Sequence, residues 1–188
     1  MLRSRVVYRT PIFGVRAEDL RSPATGHRHT FYFLDAPDWI NVIPIDERGR
    51  VVMIRQHRYG SRLLELEIPG GAVNPGERDP LNAAKRELLE ETGYAARRWV
   101  RLGFVHPNPA FHRNKCHVFL AVGARRVAKQ NLDHGEEIEV ASVALSSIPR
   151  LLSSGRIAHA LIVAAFHRLH GRRKRLKHLL PRNAFRGW

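Results

Sequence analysis

The sequence predicts a mixed α/β (α+β) fold, in which a sheet is flanked by helices. Two observations lead to this prediction. Short runs rich in β-branched residues alternate with turn signals in the first third of the chain, at residues 5–8, 30–34, 39–45 and 51–56. Helical segments with recognisable ends follow, the strongest of them near position 80. Strands and helices that are interspersed in this way favour helices packed on a sheet.

The composition is that of a globular chain large enough to bury a core. The chain has 188 residues, of which 44% are hydrophobic and 26% charged, and this balance excludes collagen, low-complexity disorder and coiled-coil arrays. No apolar run is long enough to cross a bilayer, and the first residues lack the apolar stretch of a signal peptide. The single cysteine, Cys116, rules out an internal disulfide and is expected to be an inert strand residue. We therefore expect a soluble cytoplasmic protein without a membrane partner.

The positive charge is concentrated at one end of the chain. The formal net charge is +15, and residues 140–188 contain ten Lys or Arg residues and no acidic residue. Residues 171–188 are therefore expected to form a basic C-terminal tail that extends into solvent. Two alternatives stay open: the tail binds RNA or an acidic partner, or Phe185 and Trp188 dock on the body of the protein. Charge alone does not decide between these functions.

The clearest helix signal lies in the middle of the chain. Asp79 has the side chain of an N-cap, Pro80 suits the first helical position, and Gly93 is a stop signal. Good helix formers fill residues 81–91. Before this helix, a loop is expected to follow Gly70 and Gly71. Beyond it, the pattern predicts strands at residues 100–105, 116–122 and 138–144, and helices at residues 148–153 and 158–170.

Three carboxylates project from one side of the central helix. Glu87, Glu90 and Glu91 are spaced by three and four residues, so they share one face. Like charges this close repel each other, and a hard divalent cation such as Mg²⁺ or Mn²⁺ would neutralise them. Zinc would prefer nitrogen or sulfur ligands. The alternative is a solvated acidic face on a surface helix.

The residues around the trio resemble the signature of the Nudix hydrolases. In this chain the loop, helix and following loop read GAVNPGERDPLNAAKRELLEETGY. The resemblance implies a Nudix fold, a mixed sheet sandwiched between helices. One position departs from the family pattern, because eight residues rather than seven separate Glu77 from Arg86. We expect the extra residue to be absorbed before the Asp79 cap, most simply at Arg78, since within the helix it would rotate half of the motif by about 100°.

The resemblance also implies an activity and a set of site residues. Nudix enzymes use water and a divalent metal to hydrolyse a diphosphate linked to another group. By resemblance, Glu87 and Glu91 are the principal metal ligands, and Glu90 is a further ligand or orients the water. The carbonyl of Gly71 is another candidate ligand. Glu77 and Arg86 would have a structural role by pairing with each other, although the extra residue puts the role of Glu77 in doubt.

A longer stretch is similar to the ADP-ribose and nucleoside-diphosphate-sugar pyrophosphatase branch. It comprises WINVIPIDERGRVVMIRQHRYG and the lead into the signature, ELEIPGG. The resemblance makes Arg55 and Arg58 candidates to hold the distal phosphate or sugar, with Glu67 as a supporting carboxylate. Arginines at the end of a strand are also often only solvated.

Two later segments supply further candidates by resemblance. The stretch GFVHPNPAFHRNKCHVFLA contains prolines that would stiffen a loop beside the sugar, presenting Asn108 and either His112 or Asn114. The stretch NLDHGEEIEV falls where relatives place a mobile loop whose acidic residue activates water or binds metal. Glu136 and Glu137 are the catalytic candidates there, although surface glutamates are common.

The resemblance suggests a division of the chain and a partner. Residues 1–35 would form an N-terminal strand arm that crosses to a second copy in a homodimer, and residues 36–170 the hydrolase domain. The expected reaction releases a nucleoside monophosphate and a sugar phosphate from ADP-ribose or a nucleotide sugar. Alternatives are hydrolysis of a dinucleotide or a capped RNA 5′ end, and a non-catalytic nucleotide-binding regulator. A nucleic-acid partner is not expected, and only the basic tail keeps it open.

Overall fold

The computed structural model describes residues 1–182 and 184–188 and contains two β-sheets and three α-helices. The first sheet is a three-stranded antiparallel unit with the order β1-β2-β3. Adjacent strands are joined by short turns, as expected for hairpin connections. Its strands span β1 Arg3–Arg9, β2 Gly14–Arg21 and β3 Arg28–Asp35.

The second sheet has eight strands and forms the body of the protein. Its main path runs β11-β5-β4-β10-β8, while β6, β7 and β9 pair with β5, β4 and β10. The β4–β10 pair is parallel and its neighbours are antiparallel, so the sheet is mixed, as predicted. The bounds are β4 Trp39–Asp46, β5 Arg50–Arg58, β6 Leu63–Glu67, β7 Gly70–Ala72, β8 Tyr94–Ala95, β9 Arg98–Val105, β10 Cys116–Arg126 and β11 Ile138–Ala144.

Helices cover both faces of this sheet. The bounds are α1 Pro80–Thr92, α2 Ile148–Ser153 and α3 Ala160–Leu176. Alternate residues of a strand point to opposite faces, and β4 shows this directly. Ile43 and Ile45 belong to the core cluster with the buried residues of α3, whereas Ile40 and Val42 pack with those of α1. The sheet is therefore sandwiched between helices.

The central helix begins and ends where the sequence predicts. The Asp79 side chain accepts a hydrogen bond from the Leu81 N–H at 2.8 Å. Gly93 has a φ of 72° and donates its N–H to the Leu89 carbonyl, so it ends the helix in the left-handed conformation that glycine adopts readily. Arg78 lies before the cap, outside the helix. The extra residue of the signature is thus absorbed in the loop, and the helical spacing of the carboxylates is kept.

Several strands were not predicted. β2 and β6 contain few β-branched residues, so local composition does not indicate them. Strand β7 was not predicted either, because Gly70 and Gly71 pair with β4, but the loop expected after them is present at residues 73–79. Glycine has no preference for strands, and the pairing comes from the neighbouring strand rather than from the residues themselves.

The prediction of a solvated C-terminal tail is also wrong. Helix α3 continues to Leu176, and Leu176, Leu180 and Ala184 are buried in the core cluster on that face. Trp188 donates its Nε1–H to the Leu145 carbonyl at 2.8 Å, and Phe185 packs against the same cluster. The alternative in which these aromatic residues dock on the body is confirmed. Apolar residues spaced along a basic segment bind it to the core, while its charges remain at the surface.

Within the part of the chain that the structure describes, no helix is both long and apolar enough to span a membrane.

Candidate active site

One arginine connects the acidic residues of helix α1. Arg86 donates through Nη1 to Glu87 at 2.8 Å and to Glu90 at 3.0 Å. Its Nε and Nη2 contact the Glu77 carboxylate at 3.3 Å each, and Nη2 also donates to the Ala72 carbonyl at 3.0 Å. The Glu77–Arg86 pair therefore forms in spite of the extra residue. Arg86 joins the helix, the preceding loop and strand β7 into one unit.

Two glycines let strand β7 lie directly against the carboxylates. The Gly70 N–H donates to Glu91 Oε2 at 3.0 Å. A Cβ placed on Gly71 would lie 2.5 Å from Cδ of Glu87, which is closer than real Cβ atoms come to other atoms. A side chain at position 71 would displace the Glu87 carboxylate, so the glycine allows the carboxylate to lie against the strand.

The carboxylates are crowded and partly removed from water. Burial raises the pKa of Glu87. The pKa of Glu91 is raised further, first by burial and then by the neighbouring charges of Glu87 and Glu136. Ionised carboxylates in such a position are costly without a counter-charge. The cluster therefore has the electrostatic character of a cation site.

The donor atoms suit a hard divalent cation. Carboxylate oxygens of Glu87, Glu90 and Glu91, together with the Gly71 carbonyl, are oxygen ligands of the kind that Mg²⁺ and Mn²⁺ prefer. In residues 1–182 and 184–188, no three His, Cys, Asp or Glu side chains are drawn together around one point. Arg86 instead pairs with Glu87 and Glu90. The oxygen donors fit a hard divalent cation, and the Arg86 guanidinium adds a positive charge beside two of them.

The loop before β11 brings one of its two glutamates near this cluster. Glu136 contributes to the electrostatic environment of Glu87, Glu91 and Arg58. Its side chain also accepts a hydrogen bond from the Asp133 N–H at 3.1 Å. Glu137 is exposed, and it is not among the residues that shift the pKa values of Glu87, Glu91 or Arg58. Of the two candidates, the electrostatic influence on the cluster favours Glu136.

The two candidate arginines of β5 lie in different surroundings. Arg58 makes a paired contact with Glu67, with both N–O distances at 2.8 Å, and Glu67 is only 2% exposed. Arg55 pairs with the exposed Glu139 across the β5–β11 ladder at 2.8 Å. A paired arginine against a buried carboxylate is fixed in position. Arg58 is therefore held rigidly near the carboxylate cluster, whereas Arg55 is a surface residue.

A cavity of about 310 Å³ adjoins the cluster. It extends from Arg58, Glu67 and the β7 glycines to the N-terminus of α3, where His159 lies. The other residues that line the cavity were not predicted as site residues from the sequence. A signal was present, because one amide interrupts the apolar run WINVIPI. The missed lining residues are Trp39, Ile40, Asn41, Ala72, Cys116, His159 and Leu161.

The three candidates of the proline-containing loop lie outside the lining of this cavity. Asn108 accepts the Ala110 N–H within its own turn at 3.2 Å. Asn114 is buried and donates to the Pro37 carbonyl at 2.9 Å. The His112 ring packs edge-on against Trp39, with the ring centroids 5.8 Å apart. In the described structure these residues shape the loop, and His112 reaches the cavity only through Trp39.

Comparisons with known proteins agree with this architecture. A family model described as NUDIX domain matches residues 35–166. An ADP-ribose pyrophosphatase of Bacillus subtilis (strain 168) is 29% identical over 155 residues, which cover 82% of this chain and 83% of that protein. An ADP-ribose pyrophosphatase of Mycobacterium tuberculosis is 28% identical over 174 residues, covering 90% and 82%.

Two further matches extend the comparison. A CMP-5'-(N-acetyl-N-hydroxy-3-aminopropyl)phosphonate hydrolase of Streptomyces rubellomurinus is 34% identical over 152 residues, covering 81% of this chain and 72% of that protein. A crystal structure of an ADP compounds hydrolase superposes with a TM-score of 0.80 at 24% identity and covers 92% of both chains. That structural likeness shows the fold.

The fold predicted from the resemblance is confirmed by the family match and the structural superposition. The pyrophosphatase branch is supported by the named relatives. The carboxylate helix, the glycine strand and the sheet between helices lie within the matched region. The chain therefore belongs to the Nudix family of hydrolases.

Proposed function

We propose that this protein hydrolyses the diphosphate linkage of ADP-ribose or a related nucleoside diphosphate sugar and releases a nucleoside monophosphate and a sugar phosphate. The observation that carries the proposal is the buried Glu91 and the partly buried Glu87, packed against Gly70 and Gly71 beside a cavity. This arrangement offers a cation site next to space for a ligand. Relatives named ADP-ribose pyrophosphatase support the substrate class.

Mg²⁺ or Mn²⁺ would be held by Glu87, Glu91, Glu90 and the Gly71 carbonyl. Both cations prefer oxygen ligands, and this set supplies only oxygen. A bound divalent cation would neutralise charge on the phosphates and make a coordinated water a better nucleophile. Arg86 would then keep Glu77 and the Ala72 carbonyl as partners, so the loop stays attached to the helix.

The protein's own residues have separate tasks in this reaction. Arg58, fixed by Glu67, would pair with a phosphate oxygen through the part of the guanidinium that Glu67 leaves free. Arg55, which pairs with the exposed Glu139, would be a second phosphate contact. A carboxylate oxygen of Glu136 would accept the proton of the attacking water as the bond between phosphorus and the bridging oxygen breaks. The bridging oxygen leaves with the other phosphate, which gives two monophosphates.

We also propose that the functional unit is a homodimer formed through the first sheet. Several large apolar side chains of this sheet face solvent, among them Tyr8 at 64% and Tyr32 at 58% exposure. The strand registers place Tyr8 and Tyr32 on one face of the sheet, and the exposed Val6 and Phe31 on the other face. Patches of this kind mark protein–protein contacts. A second copy of the chain would cover the patch and place its strand arm beside the neighbouring site.

The dimer can be tested by sedimentation velocity. We expect the wild type to sediment at twice the chain mass of 21.5 kDa, and Tyr32→Asp to sediment as a monomer. Tyr59→Asp, at another exposed aromatic residue outside the first sheet, is the control and should stay dimeric. A monomeric wild type at micromolar concentration would refute the dimer without affecting the hydrolase proposal.

The activity itself is tested with a substrate panel. ADP-ribose, GDP-mannose, UDP-glucose, a diadenosine polyphosphate and capped RNA are incubated with Mg²⁺, and the products are separated by chromatography. We expect cleavage of the sugar diphosphates by the wild type and none by Glu91→Gln. Glu65→Gln, at a position on β6 outside the cluster, is the matched control and should retain activity. Preferential cleavage of the dinucleotide or the capped RNA would replace the proposed substrate class, and tight binding without cleavage would indicate a regulator.

A further inference from the structure

We propose that the cavity beside the carboxylates is the subsite for the ring of one half of the substrate, sugar or base, with Asn41 and His159 as its hydrogen-bond donors. This inference rests on the proposed function, since it assigns where a part of that substrate binds. It names two residues that the family signature does not contain. The argument starts from a buried polar group without a partner.

Asn41 is an amide in an apolar strand. It lies on β4 between Ile40 and Val42, is only 7% exposed, and its Nδ2 has no hydrogen-bond partner among the described residues. An unpaired buried amide donor destabilises the ligand-free protein, because the group has lost its hydrogen bonds to water. Such a group in a cavity wall is expected to gain its partner from a ligand.

The position of this amide is fixed by strand β7. Asn41 pairs in register with Gly70. A Cβ on Gly70 would lie 2.5 Å from Asn41 Oδ1, so the glycine provides the room in which the amide lies. The Gly70 N–H meanwhile donates to Glu91. Gly70 is therefore next to both the Asn41 side chain and the Glu91 carboxylate, so a ligand at the cavity could contact both parts of the site.

His159 supplies a second donor at the far end of the cavity. Its Nδ1 accepts the Leu161 N–H at 3.2 Å as the N-cap of α3, so in the neutral ring the proton lies on Nε2. The 17-residue helix adds its positive N-terminal end to the same wall. Both features favour a ligand group that accepts hydrogen bonds.

The other lining residues define the shape of that group. Trp39 offers a flat aromatic surface, and Leu161 and Cys116 are apolar. Burial raises the pKa of the Cys116 thiol to about 12, so the thiol stays neutral. Glu67, the one carboxylate in the lining, is already paired with Arg58. The cavity thus combines apolar walls with donors, which suits a neutral ring with acceptor atoms.

The test uses the two products as probes. Binding of AMP and of ribose 5-phosphate is measured by calorimetry on the wild type, Asn41→Asp, Asn41→Leu and His159→Asn. Asn41→Asp keeps the shape and exchanges a donor for an acceptor, while His159→Asn keeps an N-cap and removes the ring. We expect the Asn41 variants to bind at least one of the two products about tenfold or more weakly, which is the loss of affinity expected for one hydrogen bond. We expect a smaller loss for His159→Asn.

Stability gives a readout that a merely structural role would not produce. Because Asn41 Nδ2 is unpaired, Asn41→Leu should leave the melting temperature of the ligand-free protein unchanged or raise it. Asn114 is equally buried, but it donates to the Pro37 carbonyl, so Asn114→Leu should lower the melting temperature. With ADP-ribose as substrate, the Asn41 variants should raise KM more than they lower kcat.

The outcomes distinguish a nucleoside ring from the distal sugar as the occupant of the cavity. They also distinguish failure of the subsite proposal from failure of the proposed hydrolase function. Loss of AMP binding alone assigns the cavity to the base or its ribose, and loss of ribose 5-phosphate binding alone assigns it to the distal sugar. Unchanged binding of both products to the Asn41 variants, or a wild type that binds neither at millimolar concentration, overturns the subsite. A wild type that binds a product through Asn41 but cleaves no diphosphate would refute the proposed function and leave the subsite standing.

Discussion

At the scale of single residues, the site depends on two glycines, because neighbouring groups occupy the space that their side chains would fill. Gly71 has no side chain, and the Glu87 carboxylate occupies the space beside its Cα. Gly70 leaves room for the Asn41 amide on the other side. The same two glycines therefore set both the carboxylate cluster and the wall of the cavity. A small change at Gly71 should affect activity more than folding, whereas a Cβ on Gly70 would also meet the Ile40 backbone carbonyl and disturb the strand pairing.

Replacing Gly71 tests this dependence. We expect Gly71→Ala to lower kcat/KM on ADP-ribose by about tenfold or more, because the new Cβ displaces the Glu87 carboxylate. Gly60→Ala is the control, since a Cβ at that position meets no other atom within 4 Å. Initial rates of AMP release measure both variants. Equal rates for Gly71→Ala and the wild type would show that the position of Glu87 is not critical.

The two neighbouring glutamates of the loop before β11 allow a second comparison. Of Glu136 and Glu137, only Glu136 is among the residues that shift the pKa values of Glu87 and Glu91 in the described structure. We expect Glu136→Gln to lower kcat by about 10²-fold or more, the range of general-base catalysis, and Glu137→Gln to have a much smaller effect. Steady-state kinetics with Mg²⁺ provide the measurement. The reverse order would assign the proton acceptor to Glu137.

At the scale of secondary structure, one aspartate ties the start of β10 to the start of β4. Asp38 accepts the Lys115 N–H and contacts the His117 ring, both at 2.8 Å. Burial by itself would raise the pKa of Asp38, but these hydrogen bonds outweigh it, so the pKa lies below its ordinary value of 3.8. The contact therefore depends on the ionised carboxylate.

The lowered pKa of Asp38 predicts a dependence of stability on pH. The ionised group stabilises the fold above pH 3.8, and this contribution is lost as the pH falls through the lower pKa of the folded protein. Asp38→Asn should therefore lower the free energy of unfolding near neutral pH, and its difference from the wild type should shrink in acid. Urea unfolding at several pH values measures this. A difference that grows toward acid pH would contradict the assignment.

Prediction from sequence succeeded where structure is decided locally. The ends of α1 depend on Asp79, Pro80 and Gly93, which act within one turn of the helix. Strand β7 was missed because two glycines become a strand only by pairing with β4. The carboxylates were found through their helical spacing, but the role of Asn41 depends on which face of β4 meets the cavity. That information lies in tertiary structure.

At the scale of the whole molecule, the basic C-terminal segment is part of the fold. Arg168 and Arg172 donate to the carbonyls of Leu102 and Arg101 on β9, at 3.1 and 2.8 Å. Trp188 stacks on His170, with the ring centroids 5.7 Å apart. The sequence suggested docking of Trp188 only as an alternative and did not predict the arginine contacts, because they join residues far apart in the chain. Part of the positive charge is thus used internally.

The contribution of this segment to stability can be measured at its last residue. We expect Trp188→Ala to lower the free energy of unfolding by about 2 kcal/mol, since it removes a partly buried aromatic ring and the hydrogen bond to Leu145. Arg186→Ala, at an exposed position two residues earlier, should change it little. Chemical denaturation compares the two. Equal stability of both variants would show that the segment is not anchored through Trp188.

The central claim is that Glu87 and Glu91 form the metal site of a hydrolase that cleaves ADP-ribose between its two phosphates. The most direct measurement is ³¹P NMR of ADP-ribose incubated with the protein and Mg²⁺, using wild type and Glu91→Gln. We predict equal amounts of AMP and ribose 5-phosphate from the wild type, no reaction without the metal, and none with the variant. Intact ADP-ribose with the wild type, or cleavage to ADP and ribose, would contradict the claim.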